Sequence, residues 1–484
     1  MERKLNDLQP NSIWNYFEAI CQVPRPSKNE EKIIAFLEAF AADKGLEIKK
    51  DEAGNVLISK PASPGFENRP MVVLQSHLDM VCEKNSNVDH DFMTDPIKPF
   101  IDGEWVKAEG TTLGADCGIG IAASLAVLAD RSLQHGPIEC LFTVDEETGL
   151  TGAFALQPGF FEGKILLNLD SEDEGEIFIG CAGGIDTLAN FPYKKENVPA
   201  GFFPIKLSIS GLKGGHSGDD INKGRGNAIR ILARFLWFAY HHYGIRLAKI
   251  SGGNLRNAIP REACAIVMVQ NGYKENLVAD FNIFKHDIAV EYALNEPVLK
   301  IDHGSTSPPD FVFDDTSAIN LINALFLCPN GVQSMSSRMP GMVETSTNLA
   351  SVKMEVDNAV VVTTSQRSEI ETGKKMVADQ VMALFELTGA KVRHSDGYPG
   401  WTPNPDSPVL KVAVDTYKKL FGNAPKVRSI HAGLECGLFL EKYPQLDMVS
   451  FGPTILGAHS PDERLNIASV KKFWEHLVLM LSSF

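Results

Sequence analysis

Three apolar runs of this chain each stop at side chains able to hold a cation or carry a proton. Met71–Leu74 leads into Ser76-His77-Leu78-Asp79, Ile138–Thr143 into Asp145-Glu146-Glu147, and Leu166–Leu169 into Asp170. Aliphatic and β-branched runs of this length read as strands buried on both faces. His77 and Asp79, two apart on a strand, point the same way, and the carboxyl ends of strands in an open α/β sheet are where ligands bind. Two loops add to the set. Gly114-Ala115-Asp116-Cys117-Gly118 puts an acid in a glycine-rich turn before a helix, and Gly457-Ala458-His459 puts an imidazole beyond the strand-like Met448–Phe451. Each has a plainer reading taken alone: a satisfied His–Asp pair, a helix N-cap at Asp116, a solvated acidic loop at 145–147. All of these would have to hold at once, and adjacent carboxylates repel one another unless a cation is present. Imidazole and carboxylate ligands suit zinc, manganese or cobalt, and there are enough of them here for two ions with one acid bridging.

The elements that must carry these residues alternate. Residues 12–21 predict an amphipathic helix, with Ile13, Phe17 and Ile20 on one side. Ser27-Lys28-Asn29-Glu30 has the form of a capping box; it opens a second helix through Ile33, Leu37 and Ala41, with Gly45 placed to end it. Leu46–Lys50 and Asn55–Lys60 read as a hairpin, and the apolar, alanine-rich Gly118–Leu128 as a buried helix. Strands alternating with helices predict an α/β fold, a mostly parallel sheet flanked by helices. Near Gly183 the style changes to two-layer α+β material, with strands at Pro204–Ile209, Ala263–Val269, Ser351–Val356 and Ala359–Ser365 and helices at Asn227–Tyr240, Thr316–Phe326 and Thr372–Leu387. The recurring order strand, helix, strand points to two similar halves. Tyr398–Pro403 reads as a linker back to the first style, resumed by Val409–Leu420 and Ala468–Leu481. The expectation is a catalytic domain over 1–185 and 398–484, interrupted by an inserted α+β domain over 186–397.

With 484 residues, two domains are the natural expectation. The net charge of −15 argues against nucleic acid, because phosphate binding needs a basic face. Met1–Asp7 carries charges with no apolar segment behind them, which predicts no signal peptide, and no run approaches the length of a membrane span. The eight cysteines are scattered with no CxxC, which excludes a cysteine zinc knuckle and fits buried thiols in a reducing cytoplasm.

His77-x-Asp79, Gly114-x-Asp116, Glu146-Glu147, Asp170 and His459, in this order, resemble the zinc aminoacylase, dipeptidase and carboxypeptidase superfamily. The likeness runs over the whole chain. His431–Gly437, Gly214–Gly218 and Arg256–Arg261 are most similar to its Xaa-His (carnosine-type) dipeptidase branch. The resemblance implies a zinc-peptidase-like fold with a lid or dimerisation insert, and roles position by position. Asp116 would bridge two divalent ions, zinc first with manganese or cobalt as alternatives. His77, Glu147, Asp170 and His459 would complete the ligands, and Asp79 would fix the His77 ring. Glu146 would act as general base toward the attacking water, and His216 would reach over to stabilise the oxyanion. Asn257 and Arg367 would hold the substrate's carboxylate, and Glu435 its free amino group; His431 has no assigned role. Without the resemblance, His216 reads as part of a glycine-rich turn and Arg367 as a solvated arginine. Cys117 stands where the superfamily often has Asn or Asp, and leaves open whether the Asp116–Cys117 peptide is cis, as it commonly is in these proteins.

The sequence therefore predicts a cytoplasmic metallodipeptidase, homodimeric, without nucleic-acid or membrane partners, that hydrolyses dipeptides of the Xaa-His type such as β-Ala-His. An N-acyl amino acid deacylase would keep the site and dispense with Glu435. A metal-dependent peptide-binding protein without turnover would have no use for Glu146, and a scaffold explains none of the clustered acids.

Overall fold

The computed structural model describes residues 5–484; residues 1–4, part of the stretch read for a signal peptide, lie outside it. The chain divides into two compact units. One comprises the chain up to Gly180, Pro403–Ser429 and Leu434–Phe484; the other comprises Cys181–Thr402 and Ile430–Gly433. The changeovers fall at Gly180/Cys181 and Thr402/Pro403, where Cys181 pairs with Trp401 and Gly184 with Tyr398, so outgoing and returning backbone stay together. Ile430–Gly433, which the sequence reading left with the catalytic domain, groups with the second unit.

The first unit is built on an eight-stranded sheet in the order Glu47–Lys50, Val56–Lys60, Ile138–Thr143, Val72–His77, Ile165–Asn168, Asp447–Ser450, Glu176–Cys181 and Lys426–Ile430. The four strands Ile138–Thr143, Val72–His77, Ile165–Asn168 and Asp447–Ser450 run parallel, so their carboxyl ends open on one edge. Every residue of Val72–His77 and Ile138–Thr143 is buried, as expected for strands with helices on both faces. The helix Ala115–Ala129 packs against Val72–His77 and against the helix Asn11–Cys21. A separate four-stranded antiparallel sheet, Ile455–Leu456, Arg464–Asn466, Trp105–Ala108 and Pro99–Asp102, carries His459 on the loop joining its first two strands.

The second unit is a nine-stranded antiparallel sheet with helices. Its first half runs Phe202–Ser210, helix Ala228–Tyr243, Arg246–Gly252, Ala263–Gln270, helix Lys274–Glu291, Lys300–Ser305. Its second half repeats that βαββαβ order with Gly183–Pro192, helix Asp315–Leu327, Val343–Met354, Ala359–Ser368, helix Glu371–Leu387 and Lys391–His394. In the sheet the two halves are mirror arranged, meeting where Gly252 pairs with Val352. The repeat was hard to read because the first strand of the second half precedes the whole first half in the chain.

Two local expectations are corrected. Ser27–Glu30 is not a capping box: helix Glu31–Lys44 starts after Glu30 with no side-chain cap, the Ser27 hydroxyl donates instead to Asp79 Oδ2 at 2.7 Å, and Glu30 Oε1 accepts the N–H of Lys28 and of Asp145. The strand expected at Ser351–Val356 is the longer Val343–Met354, and Val356 lies fully exposed in the turn beyond it.

Candidate active site

Asp116 is the centre of the cluster at the sheet's carboxyl edge. Its Oδ1 lies 3.1 Å from His77 Nε2, and its Oδ2 lies 3.2 Å from His459 Nε2. One carboxylate oxygen thus faces each imidazole, the disposition a bridging acid requires. His77 Nε2 is also 3.3 Å from Asp170 Oδ1, and His459 Nε2 is 3.0 Å from Glu147 Oε2. The ligand atoms fall into overlapping groups, Asp116–Glu147–His459 on one side, and on the other His77 with Asp170 and Cys117 or with Glu146 and Glu147. The Asp116–Cys117 peptide, left open by the sequence, is cis, and the Cys117 sulfur donates to Leu169 O at 3.4 Å.

Asp79, wholly buried, is the organiser beneath. It sits 3.3 Å from His77 Nδ1, while its two oxygens accept the N–H of Glu146 at 3.0 Å and of Glu147 at 3.1 Å. A single carboxylate therefore sets the ring of one candidate ligand and the backbone of both glutamates. Asp145 turns away: it takes a left-handed φ of 50° and accepts the Thr148 and Thr151 hydroxyls.

Burial would raise Asp79, but His77, the Ser27 hydroxyl and the Glu146 amide bring it down to about 2. Burial raises Glu146 well above the carboxylate range; His77 opposes this, and Asp170, Glu435 and Glu147 add to it. Burial also pushes Asp170 up to about 6. His459 is raised to about 11 by its hydrogen bonds to Asp116 and Glu147. Glu147 Oε1 and Asp170 Oδ1 are buried and accept no hydrogen bond. Buried acceptors without donors are costly. Carboxylate oxygens left bare beside two imidazoles are a donor set that fits divalent cations.

Glu435 stands apart from the role expected of it. Its side chain is wholly buried, and Oε2 accepts Gln75 Nε2 at 2.6 Å and Thr143 Oγ1 at 2.8 Å. Burial pushes it up to about 8. In this structure it is closed to a substrate ammonium.

The second unit gathers cationic and neutral donors. Arg367, 7% exposed on the strand Ala359–Ser368, donates from Nη1 to the Tyr398 hydroxyl at 3.0 Å, and its buried Nε has no partner. His216 Nδ1 accepts the N–H of Gly218 at 3.3 Å and of Asp219 at 3.2 Å. In the neutral ring this places the proton on Nε2, free to donate. Burial and then Arg367 lower His216. His431 pairs through Nε2 with the Ser346 hydroxyl at 2.7 Å, and burial, then Arg367 and His216, lower it to about 3. Asn257 is exposed, its carbonyl accepting Ser217 N–H at 2.8 Å, and the neighbouring Arg256 pairs with Asp186 at 2.9 Å.

The profile of Peptidase family M20/M25/M40 matches residues 73–483. The chain belongs to that family. The cytosol non-specific dipeptidase of Escherichia coli (strain K12) is 47% identical over 478 residues, 99% of this chain and 98% of the relative. The crystal structure of an aminoacylhistidine dipeptidase from Vibrio alginolyticus superposes with a TM-score of 0.93 at 46% identity, covering 100% of this chain and 98% of that one. A Staphylococcus aureus tripeptidase, at 18% identity and a TM-score of 0.57 over 98% of each chain, shares the fold. Within this member of the family, sequence reasoning overlooked four residues that hold the clusters in shape. Arg25 gave no signal, while Ser27 reads as part of a capping box and Tyr398 as part of a linker. Glu463 had a signal, standing four residues after His459 in the same loop.

Proposed function

We propose that this family member is a cytoplasmic dinuclear metallodipeptidase, with peptides of the Xaa-His type such as β-Ala-His among its substrates. The observation that carries the reading is the convergence of His77, Glu147, Asp170 and His459 on Asp116, with buried carboxylate oxygens left bare. His77 and Asp170 with Asp116 would hold one divalent cation, and His459 and Glu147 with Asp116 the other. Zinc is our assignment, with manganese and cobalt as alternatives. Bound there, two such ions supply Lewis acidity to the attacking water and the scissile carbonyl. Glu146, raised by burial and held by the Asp79–amide contact, takes a proton from that water and delivers it to the leaving amine. Asp79 keeps His77 in one ring orientation. His216 offers Nε2–H to an oxyanion. Arg367 offers its unpaired guanidinium edge to a terminal carboxylate, with Asn257 as its companion. We propose the insert as a lid for short peptides and the assembly as a homodimer, to be checked by sedimentation of the full chain; a single-chain mass would remove the dimer.

The names of the two close relatives differ in breadth, one non-specific and the other for aminoacylhistidines. A panel of β-Ala-His, Xaa-His and Xaa-Leu dipeptides, with chelated and metal-restored protein, therefore ranks substrates and tests the reaction together. Glu146→Gln should lower kcat by about 10³-fold, the scale of a lost general base, with metal still bound. The closed position of Glu435 favours keeping a second reading in the panel. If acetyl-amino acids are cleaved and free-amino dipeptides are not, the protein is an N-acyl amino acid deacylase. Binding of metal and peptide with no cleavage of either class would rule out both.

A further inference from the structure

We propose that Glu463 and Arg25 are positioning residues that hold the Asp116 turn in metal-binding form before any metal arrives, Glu463 by tying that turn to the loop of His459 and Arg25 by tying it to the His77–Asp79 turn. The proposal rests on the metal centre assigned above. Glu463 is 2% exposed, and its carboxylate accepts four successive backbone N–H groups: Leu113 at 2.7 Å and Gly114 at 2.9 Å on Oε2, Ala115 at 2.8 Å and Asp116 at 3.3 Å on Oε1. These amides lie on the turn that leads into helix Ala115–Ala129, whose backbone is not helical at Asp116 and Cys117. Successive amides turned to one side attract an anion; here the chain supplies its own, from the loop that also carries His459.

Arg25 grips the opposite side of the turn. It is 3% exposed, and Nη1 donates to Leu78 O at 3.0 Å and Asp79 O at 2.7 Å, while Nη2 donates to Gly114 O. Its seat accounts for the glycines of the motif. A Cβ at Gly114 would lie 2.6 Å from Arg25 Nη2 and one at Gly118 2.7 Å, and Gly114 also takes a left-handed φ of 69°. Three ligand-bearing segments are thus joined in series: His77 to Asp116 through Arg25, and Asp116 to His459 through Glu463. None of the contacts made by Glu463 or Arg25 reaches a ligand side chain, so both act through backbone position alone.

The test is zinc titration of the metal-stripped full chain against a competing chromophoric chelator. Glu463→Gln takes the charged acceptor from all four amides and leaves two of them facing an NH2 donor with no acceptor; it should weaken at least one of the two zinc equivalents by about 10- to 100-fold, the range for residues that orient ligands. Glu463→Asp, which keeps the charge, should fall between it and wild type. At saturating zinc the KM for dipeptide should be that of wild type. Val470→Ala, a core truncation in helix Ile467–Ser483, controls for lost stability and should leave both zinc affinities unchanged. Unchanged affinities in folded Glu463→Gln, or an equal loss in Val470→Ala, would overturn the proposal. Should Glu463→Gln not fold, hydrogen exchange on metal-free wild type decides: the amides of 113–116 should already be protected, and fast exchange there would end the idea. Asp116→Asn separates the two levels of argument. If it keeps both equivalents, the metal assignment itself fails; if it loses them while Glu463→Gln does not, only the positioning role fails.

Discussion

The two buried polar clusters of this molecule are opposites in charge. In the first unit, Asp79, Asp116, Glu146, Glu147 and Asp170 surround two imidazoles, the histidines are raised, and the atoms left bare include carboxylate oxygens of Glu147 and Asp170. In the second, Arg367 stands beside His216 and His431, both histidines are lowered, and a bare atom is the guanidinium Nε. Burial acts on both clusters, since a low dielectric disfavours whatever charge is there. What separates them is the sign of the missing partner. On the proposed reading the first would take cations, and the second an anion such as a peptide's terminal carboxylate.

That contrast can be broken at either end. The largest effect should come from Asp116→Asn. Removing the charge of the acid that faces both histidines should abolish binding of the pair of ions and lower turnover by about 10³-fold or more, of the order attributed to a lost catalytic centre. Equilibrium dialysis against zinc checks it, and two retained equivalents would show that the acid cluster is only an acid cluster. Next is Asp79→Asn, which keeps an acceptor for one glutamate amide but weakens the hold on His77. Metal affinity or kcat should fall about 10- to 100-fold. At the cationic end, Arg367→Lys loses the planar fork but keeps the charge. The KM for dipeptides should rise about 10- to 100-fold, zinc affinity should not change, and the discrimination against C-terminally amidated dipeptides should shrink. If the amide is discriminated against just as strongly by the variant, Arg367 does not read the carboxylate.

Much of the anionic cluster was legible because strand grammar is local. An apolar run followed by an acid or imidazole names both the strand and the site, and His77, Glu146, Glu147 and Asp170 all obey it. His459 and Asp116 came from loops and needed the company of the rest. The parts that stayed hidden are held by long-range contacts of ordinary-looking residues. Ser27 looked like a cap because Glu30 follows it at the right spacing, yet tertiary structure offered its hydroxyl a stronger acceptor in Asp79. Glu435 carried a charge suited to an ammonium, and only burial shows that it is closed off. The repeat in the second unit was audible only as strand, helix, strand, because Gly183–Pro192 contributes to a half whose other elements begin at Asp315.

The smallest effect is a pH dependence, and it tests the sign of the second cluster without any ligand. His431 is buried, faces Arg367 and His216, and is lowered to about 3. An unfolded histidine titrates near 6.5. Between these values the unfolded chain binds a proton that the folded chain refuses, so this residue favours folding above about pH 6.5 and progressively less as the pH falls toward 3. The slope is about 1.4 kcal/mol per pH unit for one such group. His431→Gln removes the titration while leaving a polar partner for Ser346. The variant should lose less stability than wild type between pH 6.5 and 5, by about 2 kcal/mol, in denaturant melts of metal-free protein, whatever its stability at neutral pH. The imidazole C–H resonance of His431 should also stay at its neutral position through that interval. Titration near 6.5 in the folded protein would mean that the ring is solvated and free of Arg367, and the second cluster would then not be the cationic, anion-seeking counterpart of the first.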